Sequence, residues 1–115
     1  MLFQNDPLAE KFRVGHVVFR AGESGDHMYA VVSGAVEIAI NEKTVEVVES
    51  GGVFGEMALV EDRPRIATAT VVSDAELVSI DRKRFLFLVQ QTPFFSIQLM
   101  AIMAERLRRM NERIG

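Results

Sequence analysis

The hydrophobic period of this chain changes at Asp81, and that change constrains the fold more than any other feature. Before Asp81, apolar and polar residues alternate in short runs; after it, apolar residues recur about every 3.6 positions. Val36, Ile38 and Ile40 alternate with Ala35, Glu37 and Ala39, and Val45 and Val47 alternate with Thr44, Glu46 and Val48. Residues 11–13, 16–20, 28–32, 35–40, 44–48, 67–72 and 75–80 read as strands. They are punctuated at Gly15, at 21–26, at a Ser33-Gly34 hairpin, at 41–43 and at Ser73-Asp74. Eight or so short strands at this spacing, with no internal repeat, predict an antiparallel roll or barrel. Beyond Asp81, a plausible N-cap, residues 82–91 form a helix with Phe85, Leu86, Leu88 and Val89 on one side. Pro93 breaks it, and a last helix runs from about Thr92 to Ile114. The 115 residues make one domain, with a β part over 1–80 and helices over 81–115.

Composition narrows the function. Hydrophobic residues make up 49% of the chain, enough for a proper core. With no cysteine, disulfides and thiolate metal sites are excluded. No charged-then-apolar leader and no run of 18 apolar residues occurs, so a soluble, cytoplasmic protein without a membrane span is expected. A net charge of −3 argues against a dedicated DNA-binding domain. His16 and His27 are eleven positions apart with no matching carboxylate and later histidine, so no metal site is expected. No Ser-His-Asp, Cys-His or paired-carboxylate arrangement stands out, and the chain is not expected to be an enzyme.

The chemistry concentrates in residues 51–69. Gly51, Gly52 and Gly55 let the backbone turn sharply and approach a ligand. Glu56 to Leu59 forms a single helical turn, whose first N–H groups lack intrahelical partners and favour an anion. Pro64 makes a stiff elbow from which Arg65 starts a strand and points back as a bidentate clamp. Arg65, Ala67 and Ala69 then share one face and leave a hollow. Glu56 would repel a phosphate, and is explained by a ligand that also offers hydroxyl donors. Phosphate, ribose hydroxyl and a hollow for a base describe a nucleotide.

Phe54-Gly55-Glu56-Met57-Ala58-Leu59, followed by Pro64-Arg65-Ile66-Ala67-Thr68, resembles the phosphate-binding cassette of cyclic nucleotide-binding domains. These are the modules of catabolite activator proteins, cyclic-nucleotide-dependent kinases and cyclic-nucleotide-gated channels. Gly25-Asp26 and Tyr29 with Ser33-Gly34 match a further frame of that family, and the resemblance runs from about Phe12 to Gly115. It implies a mainly β fold with C-terminal helices: a jelly-roll-like antiparallel β-roll, a short phosphate-binding helix and a long C-terminal helix. It further implies that Arg65 pairs with a cyclic phosphate and that Glu56 takes the ribose 2′-hydroxyl. The backbone of Gly55, Met57, Ala58 and Ile66 would complete the phosphate site, and Phe54 and Ala67 belong to the same cassette. The ligand that the resemblance implies is a cyclic nucleotide rather than a cofactor. Ile66 stands where a threonine favours guanine in the family, so cyclic AMP is expected ahead of cyclic GMP. Family members usually carry one or two helices before the roll, and residues 1–10 leave almost no room for them.

The last helix carries two stripes. Ile97, Met100, Ala104, Leu107, Asn111 and Ile114 follow the 3-4 spacing of a coiled-coil seam, while Leu99, Met103 and Met110, with Phe94 and Phe95, face the chain's own roll. Dimeric family members pair through this helix, so a homodimer is expected. Met110 and Asn111 lie at about the level where hydroxyl residues of catabolite activator proteins reach adenine, and Asn111 offers a carbonyl to the N6 amino group. The arginines at 106, 108, 109 and 113 are interspersed with Glu105 and Glu112 and read as a wet helix face rather than a nucleic-acid patch. No helix-turn-helix follows, so no DNA contact is expected. The overall expectation is a non-enzymatic cyclic nucleotide sensor signalling to an effector protein. The alternative is an interaction scaffold that keeps the fold without binding nucleotide.

Overall fold

The computed structural model describes residues 3–114. Strands β1 (Glu10–Phe12), β2 (Val17–Phe19), β3 (His27–Ile40), β4 (Lys43–Glu49) and β5 (Val53–Phe54) are followed by the short helix α1 (Met57–Val60). Strand β6 (Thr68–Asp81) leads into helices α2 (Arg82–Gln91) and α3 (Pro93–Ile114). The chain divides into two compact units, Met1–Arg82 and Lys83–Gly115.

The first unit is one antiparallel sheet in the order β1-β6-β3-β4, with β2 also paired to β6 and β5 to β3. The sheet is not closed into a barrel. Its frame is the pairing of two 14-residue strands, β3 and β6, from His27↔Asp81 to Ala39↔Thr68. This corrects two expectations. Ser33-Gly34 is not a hairpin, and Ser73-Asp74 is not a joint between strands. Both segments stay inside their long strands, where the register shifts repeatedly between Val31 and Val36. Bulges let a paired ribbon bend without losing its partner. Gly34 allows the bend because its φ is +84° and an added Cβ would lie 2.2 Å from the Asp74 carbonyl oxygen. Polar and glycine residues that resemble a turn thus mark a bulged bend.

The expected turn at 41–43 does form. Asn41 and Glu42 both have positive φ, as a tight two-residue hairpin requires. In β4, Ile38 pairs with Glu46 and Ala39 with Thr44, which leaves Val45 as an extra residue. The shift turns Val48 into the core, whereas Val47 is 46% exposed.

The core of the unit is formed by Phe19, Val31, Val36, Val48, Phe54, Ala69, Val71, Ala75 and Leu77. Tyr29 stacks on Phe54 at 5.3 Å between ring centroids, and Phe19 lies 5.9 Å from Phe54. Such pairs add about 0.5–1.5 kcal/mol each beyond their area. This aromatic group supports the segment that carries α1.

In the second unit, α2 and α3 meet at a bend of 111°. Pro93 occupies the first position of α3, where its missing N–H costs nothing. Phe85 and Phe95 pack edge to face at 6.0 Å. Leu88, Phe95 and Leu99 are buried, but Leu86, Phe94 and Met110 are exposed, so the apolar stripe of each helix is narrower than its sequence suggests. The seam residues Ile97, Met100, Ala104, Leu107 and Asn111 are exposed; the side chains of Arg113 and Ile114 lie outside the described residues. Among the described residues, no single helix is long and apolar enough to cross a membrane.

Candidate functional site

Arg65 does not start a strand. Residues 61–67 form an irregular connection, and β6 begins at Thr68, so Arg65 and Ala67 do not share a strand face with Ala69. Arg65 is held instead by the turn at 22–23. Its N–H donates to the Glu23 carbonyl at 2.8 Å, and its own carbonyl accepts from the Gly22 N–H at 2.7 Å. Pro64, lacking an N–H, suits the irregular approach.

The side chain is fixed at four places. Nη1 donates to the Gly55 carbonyl at 2.9 Å and Nη2 to the His27 carbonyl at 2.7 Å. Cζ sits 3.9 Å from the centroid of the Phe19 ring. Gly25 lies so close that a Cβ there would fall 2.3 Å from Nε. The glycine in that turn is therefore required by the guanidinium. Nε is buried and makes no hydrogen bond. A buried donor without a partner costs about 1–3 kcal/mol, so the arrangement favours an incoming acceptor. Burial pulls the Arg65 pKa below its ordinary value, while Tyr29, Asp26, Glu56 and Glu23 pull the other way. The guanidinium remains charged, since even a shifted arginine titrates far above neutrality.

Glu56 and Arg65 are, among the described residues, the buried charged side chains. Burial of a charge is tolerated when it is paired or serves a ligand. Glu56 stands at the N-terminal boundary of α1, makes no capping bond to it and interacts electrostatically with Arg65. The site thus joins one hydrogen-bond-donating cation to one acceptor-only carboxylate, the combination a phosphate and a hydroxyl would use.

The other expected residues separate. Phe54 is 2% exposed and sits in the core, beneath the site. Gly55, with positive φ, carries the carbonyl that Nη1 meets. Ala58 is buried in α1, and its N–H donates to the Gly55 carbonyl at 3.3 Å. Met57 and Ile66 are exposed beside the site, and Ala67 is half-buried. Arg82 secures the far end of α1 through a 2.8 Å bond to the Leu59 carbonyl. Asn111 is exposed on α3, in the second unit. Sequence reasoning missed Phe19 and the carbonyl of His27. Gly25 was visible as a turn residue and as part of a family frame, and nothing local signals that it faces an arginine 40 positions away. Among the described residues, no group of three His, Cys, Asp or Glu is placed to hold a metal ion.

Comparison with known proteins bears on this geometry. Residues 9–92 match the family described as Cyclic nucleotide-binding domain. The chain is 33% identical over 109 residues to a "CRP-like cAMP-activated global transcriptional regulator" of Mycobacterium tuberculosis, covering 90% of this chain and 49% of the relative. It is 35% identical over 106 residues to a "cGMP-dependent protein kinase" of Eimeria tenella, covering 90% of this chain and 11% of the kinase. Among solved structures, the catabolite activator protein of Thermus thermophilus superposes with a TM-score of 0.80 at 30% identity, over 93% of this chain and 54% of that one. The chain therefore spans about half the length of the bacterial relatives and a small part of the kinase.

Proposed function

The chain belongs to the cyclic nucleotide-binding domain family, and from that premise we propose that it is a non-enzymatic sensor that binds cyclic AMP and signals through its C-terminal helix. The observation that carries this reading is the buried pair of Arg65 and Glu56, with an unbonded Nε–H on the arginine. Arg65 holds the cyclic phosphate by charge-assisted hydrogen bonds, and Glu56 accepts from the ribose 2′-hydroxyl. Ile66 is 73% exposed and offers no hydrogen bond to a guanine edge, which favours adenine. The exposed seam of α3 supports pairing of two copies. An effector protein, rather than DNA, is the partner in this reading.

The test is thermal denaturation of purified, ligand-free protein with cyclic AMP and cyclic GMP. At about one hundred times its Kd, a ligand adds roughly 2.7 kcal/mol. For a domain of this size that is a rise of very roughly 10 °C in Tm. Cyclic AMP is expected to give the larger shift at equal concentration. No shift with either nucleotide would leave the fold as an interaction scaffold.

A further inference from the structure

The contacts of Arg65 extend beyond hydrogen bonding, and Phe19 supplies the one that lies across its face. The two carbonyls on Nη1 and Nη2 restrain the ends of the guanidinium in its own plane. Two acceptors still leave the plane free to tilt about the line that joins them. Phe19 limits that tilt, with Cζ 3.9 Å from its ring centroid. Gly25 adds a second restraint on the tilt. A Cβ at Gly25 would lie 2.3 Å from Nε, 2.5 Å from Cζ and 2.6 Å from Nη2. Distances so nearly equal place that atom over the plane rather than beyond its edge. The ring cannot swing away, because Phe19 is paired to Ala69 in the sheet and packed against the Phe54 and Tyr29 rings at 5.9 and 6.1 Å.

From this arrangement the geometry points to Phe19 as a positioning residue for Arg65: its ring face fixes the plane in which the guanidinium meets the ligand's phosphate. An aliphatic side chain of similar volume would fill the same core position. It would also leave a buried cation against a surface with no negative electrostatic face. The negative face of an aromatic ring attracts the cation instead. A side chain pre-set in its plane loses less freedom when it closes on an anion, and that saving appears as affinity. The inference rests on the reading of Arg65 as the phosphate clamp, but its physical content is present without ligand.

Two measurements test it. In ligand-free protein, the nuclear magnetic resonance signal of the Arg65 Nε–H, assigned by its loss in Arg65→Lys, is expected to be displaced by the Phe19 ring current and slow to exchange with water. An undisplaced, rapidly exchanging signal overturns the proposal whether or not any nucleotide binds. The second measurement replaces Phe19 by trifluoro- and then pentafluorophenylalanine, which keep the ring's outline and drain its face of charge. Cyclic AMP affinity is expected to fall stepwise, about threefold and then about tenfold, and the Tm of ligand-free protein to fall modestly, because the ring already faces the cation there. Fluorination is expected to have no effect on residual affinity in an Arg65→Ala background. Affinity indifferent to fluorine, in protein that binds cyclic AMP, overturns the proposal. A displaced Nε–H signal in protein that binds no cyclic nucleotide supports the positioning role and defeats only the nucleotide reading.

Discussion

Arg65 and Arg63 differ by two positions and by almost everything physical. Arg65 is buried and tied to two carbonyls, whereas the Arg63 side chain is 80% exposed and meets Glu61 only at 3.5 Å. An exposed pair of that kind contributes little. Arg65→Ala is expected to weaken cyclic AMP binding about ten- to a hundredfold, as loss of a charge-assisted bond of roughly 1.5–3 kcal/mol requires. Arg63→Ala is expected to leave it unchanged, and calorimetric titration of both variants separates a specific clamp from general charge. Tyr29 provides an independent probe, since it is the chain's one tyrosine and tryptophan is absent. Burial raises the pKa of its phenol above the ordinary 10.0, against the lowering pull of Arg65 and of a hydrogen bond with Ser79. The folded state therefore prefers the neutral phenol. Its contribution to stability is complete below pH 10, the unfolded value, and is lost as pH rises through the higher folded value. Absorbance titration is expected to find the folded midpoint above that of the denatured chain. Cyclic AMP should raise it further, because a bound phosphate neutralises the pull of Arg65. A midpoint at or below the denatured one would show that the phenol is not desolvated.

At the scale of elements, the long ribbon of β3 and β6 depends on its bends. Gly34→Ala meets two penalties: a left-handed φ costing about 1–3 kcal/mol for a residue with a Cβ, and a backbone oxygen 2.2 Å from where that Cβ must go. Gly15 has φ +94° but nothing within 4 Å of its added Cβ, so Gly15→Ala meets only the first. Urea denaturation is expected to show Gly34→Ala losing at least twice the stability lost by Gly15→Ala. Equal losses would mean that the strands part at the bend to make room. The same ribbon shows where local reading stops. Alternation identified strands over 35–40 and 75–80 correctly, yet the polar residues at 33–34 and 73–74 could not reveal whether the chain reverses there or only bulges. A bulge requires a partner strand that stays in place, and the partner is about 40 residues away.

At the scale of the whole molecule, the exposed seam of α3 is the surface that a second copy would cover. Asn111 lies in that seam, where a polar residue fixes register in a coiled coil at a cost in stability. Asn111→Leu is expected to preserve or strengthen association, measured by sedimentation. If Asn111 also meets the base, the variant narrows the preference for cyclic AMP over cyclic GMP; an unchanged ratio assigns Asn111 to register alone. What the sequence determined by itself is what depends on nearby residues: the change from strand to helix at Asp81, the turn at 41–43, the helical turn after Gly55, and the identity of Glu56 and Arg65 as charges that a surface would not explain. What only the tertiary structure decided is what depends on distant ones. Gly25 lacks a side chain because Arg65 lies over it, Phe19 faces a cation rather than only the core, and Val48 instead of Val47 turns inward because β4 bulges against β3. Pattern within a strand is set by its own alternation, whereas register, bend and the contents of a buried site are set by the partner that the folded chain brings up.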